Sequence, residues 1–261
     1  MLFLHETHLV AGYHEDDFEA WFRERWMPVL GEGDDARLLW YLNLAHGSSW
    51  SYRVVTITAV RNGAAWERLA RRIQSGDLQD PMRELDTYRH DVTGKVLVPL
   101  PWSPLADVEL ASVPTDGAAR EPVVYMEDTM WPFANRFADY IEASGKVYAK
   151  SLEHHDTGAP RFLEIEGGFQ PAFGSHLRRE VMLMQRILDV DRLQGLLTSD
   201  IPPEMRAPGT WMHDALSLRD RWDSKLLRTA AWSPFPTEVG DAAEPYAERA
   251  TAERHRPGEV V

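Results

Sequence analysis

Two glutamates stand at matching points of two similar segments. Glu6 lies in LFLHETH (2–8) and Glu127 in VVYMEDT (123–129), an offset of 121 that sets Thr7 against Asp128 and His8 against Thr129. A carboxyl group on a mostly buried strand is desolvated. Its pKa rises, and beside a histidine it can exchange protons near neutral pH. On this reading Glu6 with His8 or His46, and Glu127 with Asp128, are acid/base groups, while Arg53 orients an anionic oxygen. The plainer alternative has each glutamate ending its strand toward solvent or pairing with an arginine such as Arg53 or Arg178. Because the two copies differ (His8 against Thr129), only one is expected to be competent.

Other chemistry-bearing residues are placed less favourably. His5 and His8, three apart on a strand, face opposite sides and cannot share a metal without a bulge, and His5 and Glu6 likewise diverge. His46 closes a second strand just before Gly47, where the edge of a pocket between sheet and helices would lie. Glu153-His154-His155-Asp156 gathers four ligand types ahead of a Thr-Gly-Ala-Pro turn, but adjacent loop residues rarely hold one metal together. No HxH, HxxxH or HExxH spacing occurs, so no metal is expected. His90 and His213, each next to an aspartate, read as surface groups. There is no Gly-rich phosphate loop, no GxSxG and no cysteine, which removes dinucleotide, serine-triad, thiolate and iron–sulfur chemistry.

These residues need a scaffold, and composition says it is globular. The 261 residues are 44% hydrophobic with 10 Trp, 9 Phe and 8 Tyr, enough aromatic area for one large or two small cores. The formal charge of −13 repels nucleic acid and anionic lipid, so neither is an expected partner. No stretch approaches the ~20 apolar residues of a membrane helix, and a cytoplasmic location is the default expectation.

Periodicity supplies the elements. Leu2 to Val10 is a strand, and Phe18, Trp21, Phe22, Trp26 and Val29 then fall at helical spacing from about Asp16 to Leu30. Arg37 to His46 and Ser51 to Arg61 read as a hairpin, Trp66 to Ile73 as a helix with a further turn at Met82 to Tyr88, and Lys95 to Leu100 as a last strand. The order βαββαβ returns after residue 121. A strand at 122–129, a helix through Phe133 to Tyr148 and strands at Arg161 to Glu166 and Leu177 to Leu188 come first. A helical stretch at 193–197, a helix carrying Trp211, Ala215, Leu218 and Trp222, and a strand at Lys225 to Trp232 complete it.

The closing segments repeat most plainly: Lys95 to Leu105 (KVLVPLPWSPL) returns as Lys225 to Phe235 (KLLRTAAWSPF). A period of about 120 is too long for a solenoid and implies duplication of a small domain. The expected fold is α+β: two tandem ferredoxin-like units, 1–105 and 121–237, joined by a Pro/Ala/Asp-rich linker at 106–120 and followed by a disordered tail at 238–261. Each sheet would keep one helix-free face that is not fully polar, and the two faces can bury each other as an intrachain barrel. Edge strands would remain, making homo-oligomers plausible.

The βαββαβ order, the aromatic first helix and the segment VVTITAVRNGAAWERL (54–69) resemble the dimeric α+β barrel superfamily in a tandem form, closest in character to NIPSNAP-type members. The resemblance implies a small-molecule enzyme acting on an apolar or aromatic, polyketide-like substrate by acid/base chemistry, as cofactor-free monooxygenases, cyclases and isomerases do. It equally admits a non-enzymatic ligand-binding or assembly protein. Haem is a third, narrower implication; otherwise no cofactor is expected.

Overall fold

The computed structural model describes residues 1–153, 161–174, 178–197 and 202–236. Eight antiparallel strands close into one barrel: β1 (Leu2–Val10), β2 (Ala36–Leu44), β3 (Arg53–Val60), β4 (Arg89–Pro99), β5 (Val124–Pro132), β6 (Leu163–Phe173), β7 (Val181–Ile187) and β8 (Arg219–Thr229). Around the barrel they run β1-β3-β2-β8-β5-β7-β6-β4. The first four strands form an arc β4-β1-β3-β2 and the last four an arc β8-β5-β7-β6, the same permutation twice. The arcs join at β2 with β8 and β4 with β6. Both seams are hydrogen-bonded, so the free edges expected from sequence do not exist; closure removes that reason for further association.

Helices cover the outside. In the first arc α1 (Glu15–Trp21), a π-helical segment Phe22–Trp26 and α2 (Met27–Gly31) follow without a break. Acidic Glu15, Asp16 and Asp17 occupy the first turn, where the helix dipole favours them. Phe18, Trp21, Phe22 and Trp26 pack inward from this rod. α3 (Gly63–Ser75) starts where the Asn62 side chain accepts the Ala65 N–H at 3.0 Å, and α4 (Gln79–Leu85) follows. The second arc carries α5 (Phe137–Ala143), a π-helical segment Ser144–Ala149, α6 (Lys150–Glu153), α7 (Leu193–Leu197) and α8 (Trp211–Asp214). The helix expected to run through Trp222 stops short: a 3-10 turn ends at Ser217, and Trp222 lies in β8 opposite Met130. The spacing of Trp211, Ala215, Leu218 and Trp222 mimics a helix, but pairing with β5 decides the last of them.

The repeated Trp-Ser-Pro triplets exchange contacts between the arcs. Ser103 Oγ accepts the Gly168 N–H of β6 at 3.0 Å, and the Trp102 indole donates to the Ile141 carbonyl at 2.9 Å. Symmetrically, Ser233 Oγ accepts the Tyr41 N–H of β2 at 3.1 Å, and the Trp232 indole donates to Glu19 at 2.9 Å. Trp102 lies flat against Gly145, where a β-carbon would collide with its ring, so the helix must present glycine there. From the 106–120 segment Leu110 and Val113 are buried in the cluster that holds Phe3 and Trp40, and Met1 packs against it. The 238–261 tail lies outside the described residues.

Candidate functional site

Alternation along β1 and β5 decides which side chains enter the barrel. Phe3, His5, Thr7 and Leu9 point inward from β1, and Tyr125, Glu127, Thr129 and Trp131 from β5. The ladders set Lys95 beside His5 and Lys225 beside Glu127. Since Lys95 and Lys225 open the two copies of the repeated segment, the structural counterpart of Glu127 is His5. The counterpart of Glu6 is Asp128, and the true offset of the two strands is 122, one more than the sequence alignment suggested. A one-residue slip sends every side chain to the other face. Glu6 and Glu127 therefore never share an environment.

His5 and Glu127 meet across the lumen. His5 Nε2 lies 2.7 Å from Glu127 Oε2, and Lys225 Nζ lies 3.1 Å from the other oxygen. His5 and Glu127 are 4% and 1% exposed, so both are cut off from bulk water. Desolvation pushes the Glu127 carboxyl up, but His5 and Lys225 outweigh it and hold the group well below the usual carboxylate range. Lys225 is raised, first by the charge of Glu127. An ionised Glu127 can only accept, so His5 Nε2 carries a proton.

Above this pair lies a pocket of about 350 Å³, lined among others by Thr7, Thr93 and Thr129, then by Arg53, Trp50 and Trp131 nearer the opening. The buried Glu180 carboxylate ties two of its walls together, accepting from Lys95 and, at 3.0 Å, from the Trp131 indole. Arg53, expected beside an anionic oxygen, does line this pocket, with its guanidinium 4.9 Å from the Trp50 ring centre. A second pocket, about 550 Å³, opens at the other end of the barrel against Trp102, Leu105, Arg186 and Phe235. The pocket expected between sheet and helices is occupied in the first arc by the packed rings of Phe18, Phe22 and Tyr41.

The outward residues form two separate polar clusters. His8 is fully buried, tilted against Phe18 and Phe22, with Nε2 3.0 Å from Thr56 Oγ1 and Nδ1 2.8 Å from the Arg89 guanidinium. Arginine can only donate, so Nδ1 is the acceptor and Nε2–H donates to Thr56. Burial, then Arg89, hold this imidazole well below its ordinary pKa and so neutral. Glu6 is raised by desolvation, with Arg89 pulling partly back. In the second arc Asp128 accepts from Ser224 and, at 2.8 Å, from Gln185, whose amide oxygen accepts from Tyr148. Its carboxyl is also raised, chiefly by burial.

Of the six expected site residues, then, Glu127 and Arg53 share the lumen pocket, Glu6 and His8 the helix-covered face of one arc, and Asp128 that of the other. His46 is exposed in the turn after β2 and joins none of them. Neither Arg53 nor Arg178 is a hydrogen-bond partner of Glu127; Arg178 binds Asp220 at 2.6 Å. His154, His155 and Asp156 lie outside the described residues. Sequence reasoning passed over His5, Lys95 and Lys225. The signal was present: alternation groups His5 with Phe3 and Thr7, and the repeat marks both lysines.

Among the described residues no cluster of three or more His, Asp or Glu could hold a metal ion. A haem would need an axial ligand facing a roomy cavity. Both nitrogens of His8 are engaged and the larger pocket is lined by no histidine, tyrosine or methionine, but His5 uses only Nε2, toward Glu127, the carboxylate–imidazole pairing that also orients an axial ligand. Among the described residues His5 is therefore the one buried imidazole placed to serve as an axial ligand, beside a pocket of about 350 Å³ that is tight for a porphyrin.

No protein-family model matches the chain, and no curated protein matches its sequence. Solved structures do match its fold. A candidate monooxygenase from Lactobacillus acidophilus NCFM aligns with a TM-score of 0.56 at 9% identity, over 87% of this chain and 93% of that one. An anthrone oxidase-like protein gives 0.52 at 8% identity over 88% and 91%, and a candidate monooxygenase from Fusobacterium nucleatum gives 0.53 at 7% over 87% and 91%. At such identities the likeness is one of architecture: the chain has the dimeric α+β barrel fold. No helix among the described residues is long and apolar enough to cross a membrane.

Proposed function

We propose that this protein is a small-molecule enzyme that transfers protons in the lumen pocket with His5 as the base, built from two fused ferredoxin-like halves. The observation that carries the reading is the 2.7 Å contact between His5 Nε2 and the buried Glu127 carboxylate on the pocket floor. Glu127 fixes the imidazole tautomer and offsets the charge that appears when Nδ1 takes a proton. Nδ1 accepts that proton from a carbon or oxygen acid, and the bonding electron pair stays on the substrate as its conjugate anion. Lys225 and Lys95 place positive charge where that anion forms. The neighbouring fold of monooxygenases and an anthrone oxidase-like protein supports a substrate with an acidic, ring-stabilised C–H or O–H.

The outward clusters suit this work less well, because both nitrogens of His8 and both oxygens of Asp128 already have partners. A non-enzymatic, NIPSNAP-like assembly role would favour a lumen without buried, oriented charge, and Glu127 argues the other way. The test is uptake of solvent deuterium at the acidic carbon of a panel of aryl 1,3-diketones, followed by NMR. His5→Gln should slow it by roughly 10²–10⁴-fold. Exchange at the wild-type rate in that variant would remove the base from the scheme.

A further inference from the structure

The same pocket carries information about the charge of what enters it. Glu127 is committed to His5 and Lys225, and Glu180 to Lys95 and Trp131. Asp223 sits 3.5 Å from Lys225, and Asp91 is exposed at the rim, where it accepts the Val92 N–H at 2.8 Å. Arg53 is different. Among the described residues it has no carboxylate partner, and its guanidinium lies over Trp50 instead. Trp50 is 70% exposed at the pocket, a large apolar ring left in water where a ligand would cover it. Trp131 lines the same pocket and is held in place through its indole N–H on Glu180.

Two rings, an unpaired guanidinium and the Thr7, Thr93 and Thr129 hydroxyls lining one pocket describe one kind of guest. We propose that the lumen pocket binds a planar aromatic anion of one or two rings, with its carboxylate or phenolate-type oxygens on Arg53 and its ring system between Trp50 and Trp131. The volume, about 350 Å³, is near the lower limit of small-molecule sites and sets the ring count. A guanidinium presents a planar fork that matches a carboxylate, and its stacking on Trp50 keeps that fork aligned at low entropic cost. The proposal rests on the lumen pocket being the working site, but not on His5 being the base. It narrows the apolar or aromatic substrate expected from sequence to an aromatic anion.

The experiment is equilibrium binding followed by tryptophan fluorescence and calorimetry, with 2-naphthoate and its neutral isostere 2-naphthamide as probes. Wild type should prefer the acid by roughly tenfold to a hundredfold, the value of a charge-assisted hydrogen-bonded contact. Arg53→Met should abolish that preference while Arg53→Lys keeps part of it, with circular dichroism confirming both folds. Equal affinity for acid and amide, or an unchanged preference in Arg53→Met, overturns the anion proposal and leaves the pocket standing. Failure of both probes to bind removes the anion proposal and the pocket together.

Discussion

β1 and β5 occupy equivalent places in their arcs, and each carries ionisable side chains on both faces, yet the two faces treat those groups in opposite ways. Inward, His5 and Glu127 reach each other across the lumen, and Lys225 completes the set, so the buried carboxylate stays charged. Outward, Glu6 and Asp128 are separated by the whole barrel. Each is raised by the loss of water around it. Glu127 is the most deeply buried of the three, and Glu6 and Asp128 are half-buried. What differs is whether the nearby cations outweigh the loss of water: His5 and Lys225 do so at Glu127, while Arg89 at Glu6 and Arg219 at Asp128 offset it only in part.

Substitution at Glu127 should give the largest effect separating the faces. Glu127→Gln leaves the buried His5 N–H and the part-exposed Lys225 without their carboxylate and is expected to cost about 1–3 kcal/mol in urea unfolding, with loss of deuterium exchange as well. A cost no greater than that of Asp128→Asn would break the contrast. The acid limb sharpens it. Glu127 titrates lower in the fold than in the unfolded chain, so its stabilisation is complete above about pH 4.3 and disappears as pH falls through the folded value. Glu6 and Asp128 have the opposite sign: ionisation costs stability above their raised folded values, and protonation relieves it.

His8 adds a separate window. Its imidazole stays neutral in the fold while the unfolded one takes up a proton, so stability should fall below about pH 6.5 by up to ~1.4 kcal/mol per pH unit. Unfolding midpoints measured from pH 5 to 8 should show that slope in wild type and lose it in His8→Gln. The smallest change is expected on the outer face. At pH 7, Asp128→Asn keeps an acceptor for Gln185 and removes a costly charge, so unfolding should shift by less than about 1 kcal/mol, toward greater stability if at all.

Much of the architecture could be read in the chain. The aromatic spacing of Phe18, Trp21, Phe22 and Trp26 defined the first helical rod, and the KVLVPLPWSPL repeat marked two equivalent strands with their turns. The repeat also has a structural role: Ser103 and Ser233 each accept a backbone N–H from the other arc, so the repeated triplet is a clasp between arcs. The site was harder to read because one residue of alignment separates Glu6 from His5 as the partner of Glu127. Similarity of letters chose Glu against Glu. Strand pairing chose by face, and only the lysine neighbours on β4 and β8 carry that register. Trp222 was misplaced for a related reason, since helical spacing cannot reveal that β5 pairs with it.

The meeting of His5 with Glu127 at equivalent positions has a genetic consequence. In a barrel made from two identical chains, any residue on the axis confronts its own copy, and a carboxylate there would face a carboxylate, an arrangement that cannot keep both charges. A single continuous polypeptide lifts that restriction. Each position may mutate alone, so an acid can come to stand opposite a base, and neither arc paired with itself would assemble the dyad.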